Sequence, residues 1–329
     1  MWFRDPPFPR NLAQGAFVPC HNGEVDDGYF KILGAVAAAH EALAPDAIAR
    51  ASGEAKTVLG ALRDAQPAWL VERDGRFECS EKGREAYRRE AEAREAPAID
   101  EGVLEGYLRF ASRRGPADRD LDQVYAAPRS ALERAARLIR AGETQRGLVL
   151  LGDDDLTSVA LALLGVTRPV TVLELDASIC EISEAAAAEL GAERRVVRHD
   201  LRDPTPAPLR GRFGAAFTDP PYAIEGFRLF VTRATELLRE DGRLVISFGQ
   251  SRRSVERGLE KQRALVEMGY FIEKIVPDAV RYEGAESIGS SSSLYFCRRT
   301  PSARAGAEGK VEGRVEGDLY TRRSPRRRR

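Results

Sequence analysis

The sequence predicts an α/β chain in which a mostly parallel, doubly wound sheet follows a small domain of helices and one hairpin. Three observations carry this expectation. From Gly147 onwards short apolar runs alternate with amphipathic stretches, as strands and covering helices do in a sheet buried on both faces. Before that, three helical patterns lead into one strong hairpin signal. The length of 329 residues, roughly two domains' worth, leaves room for both.

Taken in order, residues 29–43 repeat apolar side chains at helical spacing, 45–51 open with a proline at a first-turn position, and 54–65 repeat the helical pattern. Residues 69–72 and 76–79 flank Asp74-Gly75, a turn pair that favours a tight hairpin, and Ser80-Glu81-Lys82-Gly83 leads into another helix. Three helices and a two-stranded wing read as a winged-helix-like domain over residues 1–89, and its FECSEKG run resembles that family's usual ending. The presumed recognition helix, EAKTVLGALRDA, carries two acids and two bases, a poor footprint for DNA. Dimerisation, or a lid over a neighbouring site, is therefore the expected use of this domain. Residues 90–142 are charged and helical, with Gly115-Pro116 as a break and Pro128 opening an amphipathic stretch; they are expected to be a connector.

The sheet domain is expected over residues 143–299, with strands at 147–151, 170–175, 194–198, 213–218 and 243–248 and late strands at 270–276 and 293–297. Helices are expected at 156–164, 178–190, 225–238 and 254–268. Residues 300–329 contain the near-repeat EGKV, EGRV, EGDL and an arginine-rich end, lack a burial pattern, and are expected to be disordered.

Composition excludes several classes. Hydrophobic residues make up 43% and charged residues 31% of the chain, the balance of a globular protein with a heavily charged surface. No segment approaches the ~18 uncharged apolar residues of a membrane span. The opening MWFRDPPFPR shows no apolar signal-peptide core, so a cytoplasmic location is expected. Cys20, Cys79, Cys180 and Cys297 are too dispersed for a CxxC pair or a disulfide framework, and with three histidines no metal site is expected. Basic and acidic residues balance at 51 each, but six arginines lie among the last eight residues; without them 45 bases face 51 acids. The body is mildly acidic and points towards cationic partners.

In open α/β sheets ligands bind beyond the carboxyl ends of the strands, where the strand order reverses. Four successive predicted strand ends here are acidic. LLGDDDLTS places Gly152, Asp153, Asp154 and Asp155 after the first; LELD places Glu174 and Asp176 after the second; RHD places Asp200 after the third; TDPPY places Asp219 and Tyr222 after the fourth. A carboxylate after the second strand can accept both ribose hydroxyls of an adenosine, which selects Glu174; Asp200 could accept the adenine amino group. The first loop is informative for what it lacks. Phosphate needs glycines that let backbone N–H groups approach, and this turn offers one glycine and three carboxylates. Two like charges ~4 Å apart cost about 4 kcal/mol at an effective dielectric near 20, so a pyrophosphate or an amino-acid carboxylate is repelled and cations are favoured. One aspartate, Asp155 or Asp154, could cap the following helix. Asp219-Pro220-Pro221-Tyr222 sets a carboxylate and an aromatic ring on a stiff turn, because both prolines fix φ. It resembles the signature of amino-group methyltransferases, and the domain is read as a Rossmann-like, class I methyltransferase-type sheet.

GDDD, ELD, HD and DPPY at successive strand ends behind a winged helix make residues 17–298 resemble the branched-chain polyamine synthases, or bis(aminopropyl)spermidine synthases. The resemblance implies decarboxylated S-adenosylmethionine as co-substrate, spermidine as acceptor, methylthioadenosine as by-product and no metal. It agrees with the charge argument: decarboxylation removes the group that GDDD would repel. Aligned on the first strand, Asp155 falls where linear spermidine synthases, in a GGGDG loop, carry an aspartate that holds the donor's amine. Asp155 or Asp154 is expected to orient the attacking amine and pass its proton to water, with Asp219 beside it. Gly152, Asp153, Glu174, Asp176 and Asp200 are expected around the donor. A quaternary ammonium product would suit aromatic faces, for which Tyr222, Phe227 and Tyr282 are candidates; Glu225 and Glu283 would extend an acidic groove. A homo-oligomer without a specific nucleic-acid partner is expected. The alternatives are an S-adenosylmethionine-dependent amino-group methyltransferase acting on DNA or RNA, which the acidic first loop opposes, and a polyamine-sensing DNA-binding regulator.

Overall fold

The computed structural model describes residues 25–117, 123–249, 255–283, 291–303 and 314–315. The chain divides into two compact units, residues 1–89 and 90–329.

In the first unit, α1 (Asp27–Ala37), α2 (Pro45–Ser52) and α3 (Lys56–Ala65) precede the antiparallel hairpin β1 (Leu70–Arg73) and β2 (Arg76–Cys79), and α4 (Glu81–Ala93) begins directly after it. Asp26 caps α1 by accepting the Gly28 N–H at 2.7 Å, and Pro45 sits in the first turn of α2. Asp74 and Gly75 both adopt the positive φ that a two-residue hairpin turn requires, +51° and +71°. The first helix is shorter than expected. It stops at Ala37, and Leu43 instead exchanges two backbone hydrogen bonds with Phe77 of β2. Pro45 disfavours helical backbone in the residue before it, so this stretch arrives extended. Tyr29, Ile32, Leu33, Ile48, Leu59, Leu62 and Phe77 close the core of this unit.

The second unit contains a seven-stranded sheet in the order β5-β4-β3-β6-β7-β9-β8. Its strands are β3 (Leu148–Leu151), β4 (Val170–Glu174), β5 (Arg194–Arg198), β6 (Phe213–Thr218), β7 (Leu238–Gly249), β8 (Tyr270–Arg281) and β9 (Ser291–Arg299). The pairs joining β3 through β7 are parallel, whereas β9 runs antiparallel to both β7 and β8. This is the Rossmann-like, methyltransferase-type sheet the sequence predicts. Strand order reverses at β3, which lies between β4 and β6. Side chains alternate across the sheet with period two. On β3, Leu148 and Leu150 enter one core, while Val149 and Leu151 enter the other. The first core lies under α5 (Glu101–Ala111), α6 (Pro128–Arg140), α7 (Thr157–Leu163) and α8 (Ala177–Leu190); the second lies under α9 (Ile224–Leu237) and α10 (Val255–Glu267). Each fully buried side chain of this size contributes about 1.5–3 kcal/mol.

Two expectations are corrected here. Residues 90–142 are not a mere connector: Tyr107 and Phe110 of α5 and Ala131, Leu132, Ala135 and Leu138 of α6 are fully buried against the sheet. The strand expected at 243–248 and the late strand expected at 270–276 are also longer: β7 starts at Leu238 directly after α9, and β8 runs to Arg281. Most of the arginine-rich tail lies outside the described residues. Among the described residues no helix is long and apolar enough to cross a membrane.

Candidate active site

A cavity opens at the carboxyl ends of β3, β4, β5 and β6, the switch point of the sheet. Gly152, Asp154, Asp155, Glu174, Asp200, Asp219, Tyr222 and Tyr282 all line it. The loop after β3 is built for a sharp reversal: Gly152 has φ +75°, and Leu156 enters the left-handed region at φ +49° although it carries a side chain. Four anchors hold that loop. Tyr107 Oη donates to the Asp155 carbonyl at 2.7 Å, and Arg114 Nη1 donates to the Asp154 carbonyl at 2.8 Å. The Ala126 N–H donates to Asp155 Oδ1 at 2.6 Å, and Arg134 Nη1 donates to Asp155 Oδ2 at 2.9 Å.

The three aspartates of the loop consequently have three different environments. Asp153 turns into the interior and accepts hydrogen bonds from the Ser158 N–H at 3.1 Å, the Ser158 hydroxyl at 2.5 Å and the Ser183 hydroxyl at 3.3 Å. Burial pushes its carboxyl up to about 7. It bonds the first turn of α7 through Ser158 and is not among the residues that line the cavity. Asp155 is also buried, and the Ala126 N–H and Arg134 each bond one of its oxygens. Asp154 lines the cavity, and among the described residues no hydrogen bond or ion pair engages its carboxylate. Burial, and the charges of Asp155, Glu174 and Asp219, raise its pKa well above the usual carboxylate range.

Glu174, at the end of β4, accepts backbone N–H groups from Asp153 at 2.6 Å, Leu175 at 2.7 Å and Asp176 at 2.8 Å. Its pKa is raised, chiefly by burial. Asp176 is the N-cap of α8, accepting the Ser178 N–H at 2.8 Å, and does not reach the cavity wall. Asp200 does reach it, but Arg202 grips both of its oxygens and Arg314 Nη2 adds a contact at 2.9 Å. Burial opposes its ionisation, yet these guanidinium hydrogen bonds hold it down at about 2. Beside it, His199 lines the same wall, and its Nε2 is buried with no hydrogen-bond partner among the described residues.

After β6, Asp219 Oδ2 accepts the Tyr282 hydroxyl and faces Arg134 Nη1 at 3.4 Å. Burial raises its carboxyl to about 6, against the pull of Arg134. Tyr282 reaches this position from the segment just beyond β8, and Ser292 and Ser247 surround its hydroxyl at 2.8 Å and 3.3 Å. Tyr222 is half-buried in the cavity wall. Phe227 is fully buried, edge-on to Phe248, and the Lys261 ammonium stands 5.5 Å from its ring, so it is core and not a free aromatic face. Glu225 and Glu283 are exposed and outside the cavity.

Arg134, which bridges Asp155 and Asp219, is not among the residues the sequence singled out. A signal was available: in the helical pattern of 128–140 it falls on the apolar stripe of Ala131, Ala135 and Leu138, where a guanidinium needs an acidic partner. Among the described residues no group of three His, Cys, Asp or Glu side chains is arranged to hold a metal ion.

Comparison with known proteins agrees with this geometry. The family described as branched-chain polyamine synthase A C-terminal domain matches residues 102–308. An uncharacterized protein of Methanocaldococcus jannaschii is 33% identical over 195 residues, covering 59% of this chain and 49% of that protein. The N(4)-bis(aminopropyl)spermidine synthase of Thermococcus kodakarensis is 34% identical over 185 residues, covering 55% of this chain and 52% of that protein. The chain thus spans about half the length of the curated relatives it matches. Among solved structures, the branched-chain polyamine synthase of Thermus thermophilus in complex with N4-aminopropylspermidine and 5′-methylthioadenosine superposes with a TM-score of 0.59 at 25% identity, covering 89% of this chain and 91% of that one. With more than half of its residues matched by the family's own domain, and the acidic cavity at the switch point of its sheet, this chain belongs to the branched-chain polyamine synthase family.

Proposed function

We propose that this chain transfers aminopropyl groups from decarboxylated S-adenosylmethionine to the central nitrogen of spermidine, releasing methylthioadenosine. The observation that carries this reading is the pairing pattern of the carboxylates. Among the described residues Arg134 matches Asp155 and Asp219, Arg202 and Arg314 match Asp200, and no cation pairs with Asp154 inside a cavity that also holds Glu174. Such a cavity favours a cationic amine and repels a donor that keeps its carboxylate.

Glu174 is proposed to face the ribose, and Asp154 the acceptor nitrogen. An alkylamine of pKa near ~10 is mostly protonated at pH 7, and freeing its lone pair costs about 4 kcal/mol. A carboxylate whose pKa is raised takes that proton at a smaller cost than an ordinary aspartate would. The amine lone pair then attacks the methylene beside the sulfonium, the carbon–sulfur bond breaks, and its electron pair stays on sulfur as the neutral thioether. Asp154 passes the proton to water. Asp219, oriented by Tyr282 and Arg134, holds the amine in line.

We further propose that the protein works in the cytoplasm without a specific nucleic-acid partner. In the hairpin unit, Lys56 pairs with Asp46 at 2.5 Å and Arg63 with Asp64 at 3.1 Å, which leaves little net charge for a phosphate backbone. Cys79, Cys180 and Cys297 are free thiols, as in a reducing compartment. Incubation with spermidine and decarboxylated S-adenosylmethionine, followed by mass spectrometry, should reveal aminopropylated spermidine and equimolar methylthioadenosine. Methyl transfer from intact S-adenosylmethionine, or no product at all, would overturn the proposal.

A further inference from the structure

Arg134, 1% exposed, lies behind the cavity wall and bonds two of the acids that line it, Asp155 and Asp219. Its Nη1 reaches Asp155 Oδ2 at 2.9 Å and Asp219 Oδ2 at 3.4 Å, its Nη2 reaches Thr157 Oγ1 at 2.8 Å, and its guanidinium carbon stands 4.9 Å from the centroid of the Phe217 ring. One guanidinium therefore ties together the loops after β3 and β6, the two that carry GDDD and DPPY. We propose that Arg134 is a positioning residue of the transfer reaction: it locks Asp155 into the wall and orients Asp219, so that Asp154 alone exchanges a proton with the bound amine. This rests on the reaction proposed above.

The charged and titratable groups around it come from several elements, Glu174 at the end of β4 among them. Asp153, Asp154 and Asp155 belong to the first loop, Asp219 to the DPPY turn, Tyr282 to the segment after β8, and Tyr107 to α5; Lys261 of α10 also acts on Asp219, and Arg114 on Tyr107. Without the guanidinium, Asp154, Asp155 and Asp219 become three carboxylates around one buried cavity, and such a cluster retains protons. An incoming spermidine must then displace them.

The test compares the parent chain with Arg134→Met, Arg134→Lys and the double variant Arg134→Met/Asp155→Asn. Calorimetric titration with spermidine in the presence of methylthioadenosine, in buffers of different ionisation enthalpy, counts the protons released. Arg134→Met is expected to release about one more proton per spermidine at pH 7 than the parent. The acid limb of its kcat/KM profile is expected to move about one pH unit upward, a loss of about tenfold at pH 7 that recovers near pH 9. Arg134→Lys should restore most of both. The double variant, which removes the buried cation with its main partner, should regain melting temperature but keep the displaced limb, because Asp219 still lacks its cation. An unchanged proton count in Arg134→Met, or a limb restored by the double variant, overturns the proposal and leaves Arg134 a structural ion-pair partner. A parent chain that binds spermidine but releases no methylthioadenosine from the decarboxylated donor would refute the reaction instead, and the proton count would still decide Arg134.

Discussion

Replacing Asp154 by asparagine separates its chemistry from its neighbours' structural duties. The side chain keeps its shape and loses its charge. An alkylamine near pKa ~10.4 and an ordinary aspartate near ~3.9 differ by about 6.5 units, or roughly 9 kcal/mol for direct proton transfer. Burial and the charges of Asp155, Glu174 and Asp219 narrow that gap by raising Asp154. A positioned acid–base group of this kind contributes about 10²–10⁴ in rate, so Asp154→Asn should lose about 3–5 kcal/mol of transition-state stabilisation. Its stability should hold or rise, because among the described residues nothing is bonded to that carboxylate and one of several mutually repelling charges is gone. Asp155→Asn should behave in the opposite sense. It deprives the buried Arg134 of its closest partner, at 2.9 Å, and breaking a buried pair from one side costs on the order of 3 kcal/mol. The assay is methylthioadenosine release under saturating spermidine, with thermal melts of the same preparations. If Asp154→Asn turns over within about threefold of the parent, or melts well below it while Asp155→Asn does not, the division of labour drawn here is wrong.

Two further outcomes follow from the same geometry. Buried Asp153 holds its proton up to about pH 7, whereas in the unfolded chain it loses it near ~3.9, so between these values the folded form binds more protons and stability falls as pH rises. That contribution is complete below about pH 4 and gone above about pH 7. Asp153→Asn lacks the slope, and melts between pH 5 and 8 should show the parent losing roughly 1 kcal/mol per pH unit relative to the variant until about pH 7; a constant difference would contradict the burial argument. Glu174→Gln keeps the shape but can turn an amide towards backbone N–H donors that now bind at 2.6–2.8 Å, a loss of about 1–3 kcal/mol. Methylthioadenosine affinity should fall about 10–100-fold by calorimetry, and an unchanged Kd would remove Glu174 from the ribose.

Much of this molecule is readable from residue order because its determinants are local. Alternating apolar runs and amphipathic stretches locate β3 through β6 to within a residue, since a strand buried on both faces and a half-buried helix differ in period. Asp74-Gly75 specifies its turn through two positive φ angles. The carboxyl ends of the strands, and with them the acidic character of the cavity, follow from topology alone. Where the pattern misled, a distant partner had intervened: Leu43 left the helical register to bridge Phe77, and the charged segment before the sheet proved to cover it.

What local order leaves open is which acid does what. Asp153, Asp154 and Asp155 are chemically identical neighbours, and their roles diverge because each meets a different group from elsewhere in the chain: Ser158 and Ser183, an open cavity, and Arg134 with the Ala126 N–H. Asp200 is likewise an acid at a strand end until Arg202 and Arg314 close on it. A carboxylate's usefulness depends on its desolvation and on the nearest cation, quantities summed over three-dimensional neighbours that sequence spacing does not encode. Amino-acid order therefore determined that this chain builds an acidic crevice at a switch point, and the packing of α5 and α6 decided that, among the described residues, Asp155 is ion-paired with Arg134 while its neighbour Asp154 is not.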